Sequence, residues 1–135
     1  MANREKSKTI SSSTTETAAS AFTRAQKAYE TGNYHKTLEL LAQTDSTRQQ
    51  SADYLSAHAL FQLKRFKEAG TTFQRLIDRN SLQYRYPAEW GLLMCRLALL
   101  PEQAGTFQTQ LQGILADPGH PYYTQARLLQ KALKE

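Results

Sequence analysis

Residues 25–41 read AQKAYETGNYHKTLELL, and residues 57–73 read AHALFQLKRFKEAGTTF. When the second segment is aligned with the first residue by residue, small and large side chains recur at matching positions. The matched pairs are Ala25 with Ala57, Ala28 with Leu60, Tyr34 with Phe66, Thr37 with Ala69, and Leu41 with Phe73. Because self-similarity at a fixed period is the mark of a repeat architecture, the two segments are predicted to be copies of one structural unit.

The residues around these two segments follow a helical pattern. From Ala18 onward the apolar residues fall at helical spacing, and no segment alternates with a period of two. Six breaks divide the pattern into seven helices: the glycine turn at Gly32-Asn33, the polar stretch 44–50, the turn at Lys64, the stretch 79–81 ahead of Pro87, Pro101, and the stretch 117–121 (DPGHP). The sequence therefore predicts an all-α fold of helical hairpins.

With Gly32-Asn33-Tyr34 at its hairpin turn, the segment Ala25–Leu41 resembles a tetratricopeptide repeat, and so does Ala57–Leu76. Two features depart from that pattern: Lys64 stands where the second turn usually has glycine, and Leu100-Pro101 replaces the usual Gly-Asp turn of the third pair. The resemblance covers about residues 18–135 and implies an α-solenoid of about three antiparallel helix pairs plus a C-terminal capping helix. We expect a flexible Ser/Thr-rich lead over residues 1–16 and the repeat domain over residues 17–135.

The C-terminal half carries a second resemblance. The run Tyr86-Pro87-Ala88-Glu89-Trp90, followed by Asp117-Pro118 and His120-Pro121-Tyr122, is similar to the end of a group of Bacteroidetes proteins. Those proteins carry one membrane-spanning helix and a C-terminal tetratricopeptide domain. The resemblance implies that this chain is the soluble part of such a protein, with the membrane anchor absent and the domain on the periplasmic side of the inner membrane. Without the resemblance, the lack of an export signal favours the cytoplasm.

Composition excludes several classes of protein. The 135 residues carry a net charge of +5, but the basic residues are spread along the chain, which favours a solvated surface over a nucleic-acid site. No apolar run approaches the roughly 20 residues that a membrane span needs. A single cysteine, Cys95, excludes an internal disulfide framework and a zinc site built on several thiolates.

The sequence contains no recognisable catalytic, phosphate-binding or metal-binding motif. The six glycines never take the spacing of a phosphate-binding loop, and Cys95 is predicted to be a buried, inert thiol. The three histidines, His35, His58 and His120, stand too far apart to place two metal ligands on one helix face. We therefore predict no catalytic site, no cofactor, no metal and no small-molecule substrate.

The tetratricopeptide resemblance implies a concave groove lined by the first helix of each pair, where such arrays commonly take an extended peptide or a partner helix. Groove positions carried onto this chain are Phe22, Gln26, Tyr29, Tyr54, His58, Phe61 and Arg96. Phe22 and Phe61 could instead pack between helices. Some arrays clamp a C-terminal carboxylate with Lys and Asn at positions that Phe22 and Gln26 occupy here, so that activity is not supported.

The leading hypothesis is a non-catalytic, monomeric module that binds a protein or peptide in its groove. A second hypothesis is a structural spacer or self-association domain of a membrane-anchored envelope assembly. A third is electrostatic docking on nucleic acid or anionic lipid through the basic residues within 1–16, of which nucleic acid is disfavoured.

Overall fold

A computed structural model describes residues 13–135, with side chains described from residue 21 onward except at Ser46. Within that part of the chain every regular element is helical, and no strand occurs. The elements are α1 (Ser13–Glu30), α2 (Tyr34–Leu41), a 3-10 turn (Ser46–Arg48), α3 (Gln49–Gln62), α4 (Phe66–Asp78), α5 (Arg85–Ala98), α6 (Ala104–Leu115) and α7 (Tyr123–Lys134). The all-α prediction is confirmed. Most of the predicted lead lies outside the described residues, and α1 begins inside it, at Ser13.

The helices pack in chain order. Three antiparallel hairpins form, α1 with α2, α3 with α4, and α5 with α6, and α7 packs against α6. Each hairpin stacks on the next, because α2 contacts α3 and α4 contacts α5, while the first helices α1, α3 and α5 also touch in succession. This arrangement is the predicted helical solenoid with its capping helix.

The turns of the first two hairpins share one backbone geometry. Gly32 has a φ of +83°, and the Asn33 N–H donates to the Ala28 carbonyl at 2.8 Å, which ends α1. At the equivalent place in the second hairpin Lys64 has a φ of +63°, and the Arg65 N–H donates to the Leu60 carbonyl at 2.9 Å. The second turn therefore keeps the left-handed conformation without the glycine that suits it.

The repeat predicted from the sequence is visible in the core. Ala25 and Ala57 are both fully buried, and so are Thr37 and Ala69 at the corresponding crossing in the second helices. Because a buried position in one hairpin matches a buried position in the other, the alignment of the two segments reflects equivalent packing.

The second and third hairpins approach most closely where α4 crosses α5. A Cβ atom built on Gly91 would lie 2.5 Å from Cζ of Phe73, so only glycine fits beneath that ring. Cys95 is 1% exposed in the same core cluster, and burial raises the pKa of its thiol to about 12. The prediction that this thiol is buried is confirmed, and the raised pKa favours the unreactive protonated form.

Among residues 13–135, no helix combines the length and the apolar character that crossing a membrane requires.

Candidate functional site

A cleft of 240 Å³ lies between α3 and α5, the first helices of the second and third hairpins. Its lining is mainly aromatic and apolar, with side chains from both helices, from the underlying α4 and from the segment before α7. The residues are Tyr54, His58, Phe61, Gln62, Phe73, Pro87, Trp90, Gly91, Met94 and Tyr122. We call this site the aromatic cleft.

The two walls of the aromatic cleft are equivalent positions of the repeat. Pro87, Gly91 and Met94 on α5 keep the same spacing along the chain as three residues that line the α3 wall. Those α3 residues are Tyr54, His58 and Phe61, in the same order. The cleft therefore forms where the groove faces of two successive repeats meet.

Tyr54 is held in place by ring contacts on two sides. Its ring stacks on Tyr84 with a centroid separation of 4.6 Å and meets the His58 ring edge-on, also at 4.6 Å. The Tyr84 hydroxyl shares a hydrogen bond of 3.0 Å with the Ser51 hydroxyl, which fixes Tyr84 in turn. The pKa of the Tyr54 phenol lies above its ordinary value, mainly because the ring is buried and to a smaller extent because of the electrostatic effect of Tyr122. Tyr54 therefore presents a pre-positioned, uncharged ring.

His58 is the only imidazole in the lining of the cleft. Its ring packs edge-on against Phe73 at 5.3 Å, and burial lowers the pKa of the imidazole below its ordinary value. At neutral pH the ring is uncharged, with one nitrogen able to donate a hydrogen bond and the other able to accept one.

The opposite wall depends on a polar link to the capping helix. Trp90 and Tyr122 stack with a centroid separation of 5.3 Å and an interplanar angle of 8°. The backbone N–H of Tyr122 donates to Nδ1 of His120 at 3.0 Å, and Nε2 of that histidine lies 2.8 Å from a carboxylate oxygen of Glu89. His120 is 8% exposed, so this buried link fixes Tyr122 beside Trp90.

Formal charge is missing from the cleft. None of the residues that line it is Asp, Glu, Lys or Arg. Because a charged group loses hydration when it enters such a site and finds no counter-ion there, the cleft favours an uncharged, largely apolar occupant.

Three of the seven predicted groove residues come together here: Tyr54, His58 and Phe61. The Phe61 ring also meets Phe66 edge-on at 5.1 Å, so it both lines the cleft and packs within its hairpin.

The three predicted groove residues of α1 lie outside this lining. Phe22 is 8% exposed and packs in the core of the first hairpin beneath the guanidinium of Arg48, which supports the alternative that it packs between helices. Gln26 is exposed, and Tyr29 is half-buried with its ring edge-on to Tyr34 at 5.3 Å.

Arg96 is placed on a different surface from the cleft. Its guanidinium donates to the side-chain oxygen of Gln110 on α6 at 3.0 Å, and it lines a shallow surface that α4, α5 and α6 form. The residues of α5 that do line the cleft, among them Trp90, were not predicted by the sequence analysis as groove residues. An alignment of α5 on α3 that matches Gly91 with His58 would have found the α5 wall.

Among the described residues, one histidine lies beside a carboxylate, with Nε2 of His120 at 2.8 Å from Glu89. No group of three or more His, Cys, Asp or Glu side chains that could hold a metal ion occurs among them. Glu89 and His120 are close, but both ring nitrogens of His120 are already engaged. What the aromatic cleft offers is contact area and a few hydrogen-bonding groups, among them His58 and Gln62.

The comparisons with known proteins agree with this architecture. The family model described as anaphase-promoting complex, cyclosome, subunit 3 matches residues 6–76, a segment that reaches into α4 and so includes the turns of the first two hairpins. No curated protein and no solved structure matches the chain. The model covers more than half of the 135 residues, and its repeats are of the tetratricopeptide type. The chain therefore belongs to the family described as anaphase-promoting complex, cyclosome, subunit 3, as a tetratricopeptide-like repeat protein.

Proposed function

We propose that this protein is a non-catalytic scaffold that binds an extended segment of a partner protein and buries one uncharged, apolar side chain of it in the aromatic cleft. The observation that carries the proposal is the cleft itself: two repeats present aromatic and apolar side chains toward one uncharged space. Repeats of the tetratricopeptide type typically mediate protein interactions, which supports a protein partner.

The size of the cleft favours a side chain over a whole metabolite. Its 240 Å³ falls below the roughly 300–1,000 Å³ that is usual for small-molecule sites. Full burial of one Leu, Met or Phe side chain contributes about 1.5–3 kcal/mol, enough to make that side chain the anchor of a longer contact. Repeat families of this type are generally non-catalytic, in keeping with a binding role.

Polar groups at the edge of the cleft supply orientation. The His58 ring lies among aromatic side chains, while Gln62 lies one helical turn further along α3 and is exposed. Both can hydrogen-bond the backbone of a bound peptide, so the apolar anchor supplies affinity and these groups supply register.

Selection from a library of random peptides displayed on phage tests this proposal. Peptides enriched on the wild-type chain should share one aromatic or large aliphatic residue, and enrichment should fall when Trp90 is replaced by alanine. The matched control is Phe22→Tyr, which keeps an aromatic ring in the first hairpin, outside the cleft. Enrichment of a charged consensus, or equal enrichment on the Trp90→Ala variant with its helical content intact, would overturn the proposal.

Two further expectations from the sequence remain predictions. A monomer is expected, and sedimentation of the protein at increasing concentration distinguishes it from a self-associating spacer. The similarity to membrane-anchored Bacteroidetes proteins rests on the C-terminal motifs alone, and the periplasmic location that it implies remains a prediction.

A further inference from the structure

The outward face of α7 is a second surface with the properties of a docking site. The inward face packs on the third hairpin through Ala126 and Leu129, which join the core cluster there. On the outward face Leu128 is 63% exposed, one of the few large apolar side chains of the described chain that lie so open. Leu133 on the same helix is also exposed, so α7 carries two open leucines.

This face also carries three cations among uncharged side chains. Arg127, Lys131 and Lys134 follow one another at helical spacings of four and three positions, which places them on one stripe of the helix. No acidic residue occurs from Tyr122 to Lys134.

Elsewhere in the described chain many Lys and Arg side chains form salt bridges, unlike the three cations of α7. Lys67 lies 3.0 Å from Glu102, Arg65 lies 2.7 Å from Glu68, and Arg79 lies 2.9 Å from Asp53. Among the described side chains, which begin at residue 21, no carboxylate lies within salt-bridge distance of the three cations of α7. Their charge is therefore available to a partner.

We infer that the outward face of α7 binds an acidic amphipathic helix of a partner protein. Leu128 packs against the apolar stripe of that helix, and carboxylates at matching helical spacings pair with Arg127, Lys131 and Lys134. The site is separate from the aromatic cleft, and its occupation does not depend on the proposed function.

Charge and shape disfavour the other occupants. A second copy of α7 would bring three cations against three cations, which opposes a symmetric contact. A membrane-surface helix buries a whole apolar face in lipid, but the apolar face of α7 is already used against the third hairpin. An acidic protein helix satisfies both the charge and the exposed Leu128.

The test uses the full chain and a labelled synthetic peptide of about 20 residues, long enough to hold a helix, with a leucine stripe flanked by glutamates. A sister peptide carries lysine in place of each glutamate, and vesicles containing phosphatidylserine serve as the lipid probe. The test variant reverses the stripe as Arg127→Glu, Lys131→Glu and Lys134→Glu. The control variant makes the same change in net charge at exposed positions elsewhere, as Arg24→Glu, Lys27→Glu and Lys64→Glu.

The acidic peptide should bind the wild type and the control variant with affinities within about threefold, and should bind the reversed variant at least about tenfold more weakly, since close charge pairs dominate the contact. Replacement of Leu128 by asparagine should weaken binding several-fold while the charges remain. Equal weakening by the control variant would show attraction by net charge alone. That result, failure of the acidic peptide to bind, or binding only to the vesicles would overturn the inference.

Discussion

At the scale of single residues, the turn at Lys64 shows where the repeat tolerates strain. Lys64 takes a φ of +63° at the position where the first hairpin has Gly32 at +83°. A side chain in this left-handed region costs roughly 1–2 kcal/mol, because Cβ crowds the following carbonyl oxygen. Hydrogen bonds from Lys64 and Arg65 back to α3 hold the conformation against that cost.

Relief of this strain should stabilise the protein. We expect Lys64→Gly to raise the free energy of unfolding by about 0.5–1 kcal/mol, the cost of the left-handed conformation less the greater freedom of glycine in the unfolded chain. Urea denaturation measures the change. The control is Lys64→Ala, which removes the same charge without relieving the backbone, and an equal gain from it would refute the explanation.

The imidazole of His58 should make stability depend on pH. Burial lowers its pKa in the folded state, so the unfolded state takes up a proton first as the pH falls. The contribution of neutral His58 is therefore complete above the ordinary histidine pKa of about 6.5 and is lost as the pH falls toward the lowered value.

Urea denaturation at pH 7 and pH 5 tests this dependence. Wild type should lose more stability on acidification than His58→Gln, which has no ring to protonate. The His35→Gln variant keeps the His58 ring and should lose as much as wild type. A wild type that loses no more than His58→Gln would show that burial of this ring does not oppose its protonation.

At the scale of helices, the crossing of α4 and α5 decides how the second and third hairpins fit. Phe73 is 1% exposed, and its ring occupies the space that a side chain at position 91 would need. The aromatic cleft lies over this contact, since both residues belong to its lining.

A methyl group at position 91 should therefore be costly. We expect Gly91→Ala to lower the free energy of unfolding by about 1–3 kcal/mol, the usual penalty for overpacking. The control is Gly113→Ala on α6, where an added Cβ meets nothing within 4 Å. That change should raise stability by up to about 1 kcal/mol, because alanine favours a helix. Thermal denaturation of both variants checks the contrast, and similar shifts for the two would contradict it.

Helices and turns were predictable from the sequence because their signals are local. Gly32-Asn33 and the prolines mark the boundaries of helices. Ala25 and Ala57 match in the alignment of the repeats because each is a small, buried residue where two helices cross closely. The link between Glu89 and His120 was not predictable, since the two residues are far apart in the chain and the link exists only after α7 docks. Such contacts depend on tertiary geometry that periodicity does not encode.

At the scale of the whole molecule, the repeat arrangement explains why the cleft forms where it does. The step that relates His58 to Gly91 is slightly longer than the step that relates Ala25 to Ala57, so the repeats are not evenly spaced. Of the predicted groove residues, Tyr54, His58 and Phe61 line the cleft, while Arg96 lies on another surface. The third helix pair lacks the turn that would have anchored its register, and this accounts for the residues of α5 that were missed.

The central claim is that an uncharged side chain of a partner occupies the aromatic cleft, and the chain offers a matched pair of variants to test it. His58 lies in the cleft, and Gln26 is its equivalent in the first repeat, exposed and outside the lining. A glutamate at position 58 places a carboxylate among aromatic rings, while a glutamate at position 26 places the same carboxylate on the solvent-exposed surface.

The most direct measurement is the affinity of a selected apolar peptide for wild type, His58→Glu and Gln26→Glu, determined by fluorescence anisotropy with circular dichroism as the check on folding. We predict a loss of at least about tenfold for His58→Glu, corresponding to about 1.4 kcal/mol, and less than about twofold for Gln26→Glu. Equal affinities for wild type and a folded His58→Glu variant, or a loss confined to Gln26→Glu, would contradict binding in the aromatic cleft.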